Sequence, residues 1–339
     1  METFLNPNAE ISKKLLEKFS SLKSNCLKVN YDLDSLLFAY IISKEFKDSF
    51  YITFTSNCPN QLLKKDNNKI LIIEGNEINI GRNSFCTLLP ITTENFLGVL
   101  VGIMYSSIFE RRQFTEEERS IINNSKNYGI VVENSIKLIN YKELPVFLSL
   151  ILTIDPYIVG VSGNKASALS IIRELNISET AKLEELDEPK LNSLLYRIVS
   201  NILKYNPKFT REDLFSERIF YERYDILELA IALAYSLDII GSSEIFKFIY
   251  YNKYIDIIID GYRKDLSKDF EIKEFEDKGS YYVVSSELRS PLLLSLILKQ
   301  MGKIKSEKPI YIKIDNELYT TRYFMKSQKE GLIKIESKN

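Results

Sequence analysis

Two aspartates stand one residue apart in Asn30-Tyr31-Asp32-Leu33-Asp34-Ser35, where a short apolar run gives way to Leu36-Leu37-Phe38-Ala39-Tyr40-Ile41-Ile42. Carboxylates at i and i+2 behind a strand, faced by more carboxylates from neighbouring strand ends, form a cage for two divalent metals. Metals held ~3.5–4 Å apart in this way activate a water and stabilise the leaving oxygen in phosphodiester hydrolysis. Aspartates at strand–helix junctions also cap helices, so the pair alone does not decide between chemistry and architecture.

Composition narrows the chemistry. The chain has 339 residues and no histidine. That removes Ser-His-Asp and Cys-His nucleophile systems, histidine acid–base work and His-ligated metal sites. The three cysteines, Cys26, Cys58 and Cys86, form no CxxC pair, so structural zinc is excluded and buried free thiols are expected. Net charge is −1, so any nucleic-acid surface must be local. The first residues carry charges throughout and lack the apolar core of a secretory signal. The apolar stretch from Pro145 is broken by Asp155-Pro156 well before the ~20 residues of a membrane span. A soluble, intracellular protein is expected.

The elements that must position the aspartates read as α/β. Spacing predicts a helix near Ile11–Leu22, a strand at Cys26–Tyr31, a buried helix over Leu36–Phe46, and strands at Ser49–Thr55 and Lys69–Gly75. Short β-rich runs separated by helix suit a parallel sheet covered on both faces. Thr115 and Glu118 have capping-box spacing at the start of a stretch that reads as helix from Thr115 to Ile139, with Tyr128–Asn134 readable as a strand within it. From Pro145 to Asp265 the chain reads as mainly helical. Leu191, Leu194, Leu195, Ile198 and Ile202 form one stripe, and another helix stops near Gly241. At the end, a strand over Ser280–Leu288 and a helix with Pro291 in its first turn precede a hairpin turning at Asp315-Asn316. Three regions are expected: 1–142, 143–265 and 266–339. Residues 280–339 hold 11 basic against 6 acidic side chains, whereas 140–279 hold 18 against 24. A basic module near nucleic acid and an acidic one facing a protein partner would fit this asymmetry.

In order and spacing the chain resembles the RecJ branch of the DHH phosphoesterase family, whose first motif runs roughly His-x-Asp-x-Asp-Gly. Here Asn30 replaces the histidine and Ser35 the glycine, while Asp32 and Asp34 remain. The eponymous Asp-His-His slot holds Glu74-Gly75-Asn76, and the second-strand aspartate is replaced within Thr55-Ser56-Asn57. Glu133 is the nearest candidate for the fourth motif. Leu152–Ile177 resembles the linker of archaeal RecJ-like proteins. Arg289-Ser290 and the following helix match the DHH-associated C-terminal domain without its Gly-Gly-His loop.

The resemblance implies a degenerate DHH-type parallel-sheet domain, a helical middle segment and a smaller α/β DHH-associated-like domain. The degraded motifs leave a vestigial site of Asn30, Asp32, Asp34, Glu74, Gly75 and Asn76, with no catalytic residue, metal or cofactor. A full-length chain that keeps the scaffold and drops the ligands resembles the archaeal counterparts of the replication factor Cdc-forty-five. That branch implies a non-catalytic subunit working with the GINS complex and the MCM helicase at the archaeal replication fork, and contacting single-stranded DNA. Arg289, Ser290, Lys303, Lys305 and Arg322 are the candidates for DNA contact. The alternatives are a residual metal-dependent single-strand exonuclease and a stand-alone single-strand DNA-binding repair protein. If no metal is held, Asp34 is expected to cap the helix beginning near Leu36, and Asp32 to pair with a cation such as Arg82.

Overall fold

A computed structural model describes residues 9–22, 25–45, 51–65, 68–251 and 253–336. The chain forms two compact units, one from Met1–Val132 with Leu229–Ile255 and the other from Glu133–Glu228 with Asp256–Asn339.

The first unit contains α1 (Ala9–Ser20), β1 (Cys26–Lys28), α2 (Leu33–Glu45), β2 (Tyr51–Thr53), β3 (Asn60–Lys65), β4 (Asn68–Ile73), β5 (Asn76–Asn79), α3 (Phe96–Phe109) and α4 (Glu116–Ser125). Its sheet has the order β2-β1-β3-β4-β5. β1 runs parallel to β2 and β3, as the α/β reading requires. β4 and β5 extend the sheet antiparallel. β3 and β5 are absent from the sequence reading. Only two positions separate Lys65 from Asn68, which is too few for a parallel crossover, so β4 must pair back on β3.

α2 and α3 pack together with apolar residues on every side, which is the signature of a buried helix rather than an amphipathic one. α4 starts at Thr115, whose hydroxyl accepts from Glu118 N while the Glu118 carboxylate accepts from Thr115 N, as the spacing predicts. Cys26 and Cys58 depart from expectation. They form a disulfide with Cα atoms 5.6 Å apart, tying the first residue of β1 to the approach to β3. Cys86 is a buried free thiol.

The chain passes between units within β6 (Ile130–Ile136), so the helix read from Thr115 to Ile139 stops at Ser125 and the alternative strand reading holds beyond it. The second unit continues with α5 (Val146–Leu152), α6 (Lys165–Glu174), α7 (Glu188–Ile202), β7 (Phe215–Tyr221) and β8 (Tyr224–Asp225). In α7, Leu194, Leu195, Ile198 and Ile202 are buried and Leu191 packs against the same core, so the predicted stripe is the buried face. The β7–β8 hairpin lies inside a stretch read as mainly helical. α8 (Ile226–Ile239) then crosses to the first unit, α9 (Ser243–Tyr250) packs there on α2, and α10 (Tyr254–Leu266) leads back.

The rest of the second unit is β9 (Ile272–Asp277), β10 (Tyr282–Ser286), α11 (Pro291–Gln300), β11 (Ile310–Ile314), β12 (Glu317–Thr320) and β13 (Ile333–Lys334). The strands form one sheet in the order β13-β12-β11-β10-β9, with α11 packed on β11. Ile310 and Ile312 are buried, and Asp315 and Asn316 take the positive φ values of 49° and 65° that a two-residue hairpin turn needs.

Candidate functional site

β1 ends at Lys28 and the chain reaches Asp32 four residues later. The two aspartates therefore lie beyond the carboxyl ends of the parallel strands, the edge at which open α/β sheets bind ligands. The structure brings Asn30, Asp32 and Asp34 together there. Asn30 Nδ2 donates to Leu62 O at 3.3 Å and sits 3.5 Å from Ser35 Oγ.

Asp32 is the helix cap. Its carboxylate accepts from Ser35 N at 3.0 Å and from Ser35 Oγ at 3.1 Å, because α2 begins at Leu33 rather than near Leu36. The expected roles of the two aspartates are thus exchanged in part, and the cation beside Asp32 is Lys64, at 3.2 Å, rather than Arg82.

Asp34 lies in the first turn of α2 and is completely buried. Its Oδ2 accepts from Lys69 Nζ at 2.9 Å, Ser106 Oγ at 3.0 Å and Phe85 N at 3.0 Å, and its Oδ1 accepts from Ser84 Oγ. Burial pushes this carboxyl upward, but Lys69 first, then Lys64 and the Ser84 hydrogen bond, outweigh it and hold the pKa at about 2. The group is a fixed, fully satisfied anion.

Its counter-ion comes from the sheet. Lys69 shares the inward face of β4 with Leu71 and Ile73, all three buried. Lys64 on β3 is its direct cross-strand partner. Glu110, just past the end of α3, lies 2.8 Å from Lys69 Nζ and 3.6 Å from Lys64 Nζ. Arg112 joins the cluster to α4, placing Nε 3.1 Å from Glu110 and its two terminal nitrogens 2.6 and 2.7 Å from the buried Glu118 carboxylate. Glu118 also accepts from Ser84 N at 2.9 Å, closing the circuit back to Asp34. Gly102 of α3 makes room for all this. A Cβ there would stand 2.5 Å from Cys86 Sγ and 3.4 Å from Asp34 Oδ1.

A pair of divalent metals does not fit these residues. Among the described residues, no three His, Cys, Asp or Glu side chains converge as a ligand set. Both oxygens of Asp34 are committed, and ammonium groups already face Asp32, Asp34 and Glu110.

The other sequence candidates lie elsewhere. Glu74 and Gly75, with φ of 47° and 84°, form the exposed turn between β4 and β5, and Asn76 opens β5. Glu74 follows Lys69 by five positions along β4, roughly 16 Å at the usual rise, so the turn is at the far end of the strand from Asp34. Glu133 belongs to the second unit, where it pairs with Lys142 at 2.8 Å and accepts from Tyr141.

Arg289, Ser290, Lys303, Lys305 and Arg322 also belong to the second unit. Arg289, Lys303 and Lys305 are exposed. Ser290 is buried and caps α11 by accepting from Leu293 N at 3.1 Å. Arg322 is largely buried and 3.4 Å from Glu330. Sequence reasoning missed Lys64, Lys69, Ser84, Ser106, Glu110 and Arg112. The readable signal was the period-two alternation that puts Lys69 inward with Leu71 and Ile73, which demands a buried anion.

Among the described residues, no helix is long and apolar enough to cross a membrane. No curated protein matches the sequence. Among solved structures, the chain is similar to the crystal structure of CDC45 from Entamoeba histolytica, with a TM-score of 0.54 and 11% identity over 93% of this chain and 88% of that one. At this identity the likeness establishes the fold. The family model described as Archaeal Cdc45 matches residues 1–338, nearly the whole sequence. The chain belongs to the archaeal Cdc45 family.

Proposed function

We propose that the chain is a non-catalytic DNA-replication factor that works as a subunit with the GINS complex and the MCM helicase. Family membership over residues 1–338 carries the replication role. The absence of catalysis rests on the site. Hydrolysis by two metals needs several free anionic or imidazole ligands, and here Asp34 is fully hydrogen-bonded and paired with a buried lysine. Single-stranded DNA is the candidate ligand of the C-terminal region, where exposed Arg289, Lys303 and Lys305 offer phosphate contacts.

The test is cleavage of labelled single-stranded DNA in manganese or magnesium, run with an Asp32→Ala, Asp34→Ala double variant. The expected result is no cleavage by the native protein, together with a stoichiometric complex with GINS by gel filtration. Metal-dependent cleavage that disappears in the variant would overturn the non-catalytic reading. Failure to associate with either GINS or MCM would overturn the subunit reading.

A further inference from the structure

We propose that the ammonium groups of Lys64 and Lys69 are built-in replacements for a pair of divalent cations, so that this carboxylate cluster is neutralised by the chain itself. Three features of the geometry lead there. First, Lys64 and Lys69 are directly opposite each other on antiparallel β3 and β4. Like charges in that position repel, and the arrangement persists only where anions lie between them. Second, the anions are distributed as around two cationic centres. Asp32 is 3.2 Å from Lys64, Asp34 is 2.9 Å from Lys69, and Glu110 reaches both. Third, Glu110 Oε1 is buried and stands 2.8 Å from Lys69 Nζ and 3.6 Å from Lys64 Nζ. A single carboxylate oxygen is thus shared between the two ammonium groups, as it would be by a carboxylate bridging two cations.

A lysine ammonium is a compact point charge on a flexible stem, and it supplies the attraction without the Lewis acidity. Two monovalent charges also balance fewer carboxylates than two divalent ions would. The site accordingly places only three carboxylates, Asp32, Asp34 and Glu110, against the lysines, and Arg112 takes the second oxygen of Glu110.

Thermal melting with and without divalent metal tests the proposal. The native protein should melt at the same temperature in 1 mM manganese and in excess chelator, to within about 1 °C. Lys69→Ala removes one built-in cation and should lower melting by on the order of 10 °C. Manganese should then restore about a third or more of that loss by binding where the ammonium was. If Lys69→Ala does not fold, Lys64→Ala, at a position a third exposed, is read in the same way with a smaller shift. Two results would overturn the idea: a manganese-dependent rise in the native protein that Asp34→Ala abolishes, or a lysine variant that no divalent ion rescues. Melting is independent of cleavage and of partner binding, so this proposal and the replication reading stand or fall separately.

Discussion

The two units each bury a network of charges, and they do so in different ways. In the second unit, Arg218 donates to the carbonyls of Ile136 and Leu138 at 2.6 and 2.9 Å and to Asp225. Asp225 in turn accepts from Asn140 N and Leu227 N. Arg263 grips the buried Glu228 with two nitrogens at 2.6 and 2.7 Å, and Asn140 Nδ2 adds a third contact. Arg263 forks onto one carboxylate, and Arg218 ties two carbonyls to a second, which fixes β6, β7 and α8 by direction as well as charge. The first unit mixes the two: Arg112 forks onto buried Glu118, whereas lysine ammonium groups face Asp32, Asp34 and Glu110. The contrast teaches that buried charge alone does not single out the candidate site. What sets the first unit's cluster apart is carboxylates beyond the carboxyl ends of parallel strands with lysine ammonium groups set against them.

The largest expected effect breaks this comparison at Asp34. Asp34→Asn leaves Lys69 buried without its principal anion and should destabilise the first unit by about 3–5 kcal/mol, read by urea denaturation. Glu228→Gln, the matching change in the second unit, should cost only about 1 kcal/mol, since Arg263 is partly exposed and can be hydrated. Equal losses would mean that the two networks are energetically alike.

Next in size is Gly102→Ala. The added methyl meets Cys86 and the Asp34 carboxylate, and overpacking of this kind should cost about 1–3 kcal/mol. A neutral result would show that Cys86 yields freely.

The smallest effect separates the units by pH. Asp34 is lowered from 3.8 to about 2, so its contribution is complete above pH 4 and disappears as pH falls toward 2, a loss of about 2 kcal/mol. Glu228 is shifted the other way, chiefly by burial, with Arg263 opposing. The folded state there takes up its proton before the unfolded chain does, so acidification through that range favours folding at this group and rising pH opposes it. Hydrogen exchange resolved by peptide should show opposite trends in the two units, and parallel trends would contradict these assignments.

Much of this was legible in the sequence where one local rule fixes one local outcome. The Thr115–Glu118 box, Pro291 behind Ser290, the α7 stripe and the Asp315-Asn316 turn depend on residues within a turn of one another. The α/β class was legible too, and Asp32 with Asp34 at a strand–helix junction marked the site. What escaped depends on distant pairing. The short, partly polar β3 shows no clear strand period, and a helix with apolar residues on every side, such as α3, has no periodicity to reveal it. Glu74-Gly75-Asn76 matched a motif slot by order along the chain, whereas the hairpin turn places it at the wrong end of the strand. The partners of Asp34 come from three separate segments, at Lys69, Ser84-Phe85 and Ser106, so their convergence follows only from the fold.

The cross-strand lysine pair also bears on cation exchange. Fitting metals into this cluster would require both ammonium groups to leave and new ligands to arrive. Removing Lys69 alone strands the buried Asp34 carboxylate, at a penalty comparable to a large share of a domain's net stability. The cross-strand pair therefore acts as a latch: no single substitution at Lys69 opens the cluster to another cation without a cost to the fold.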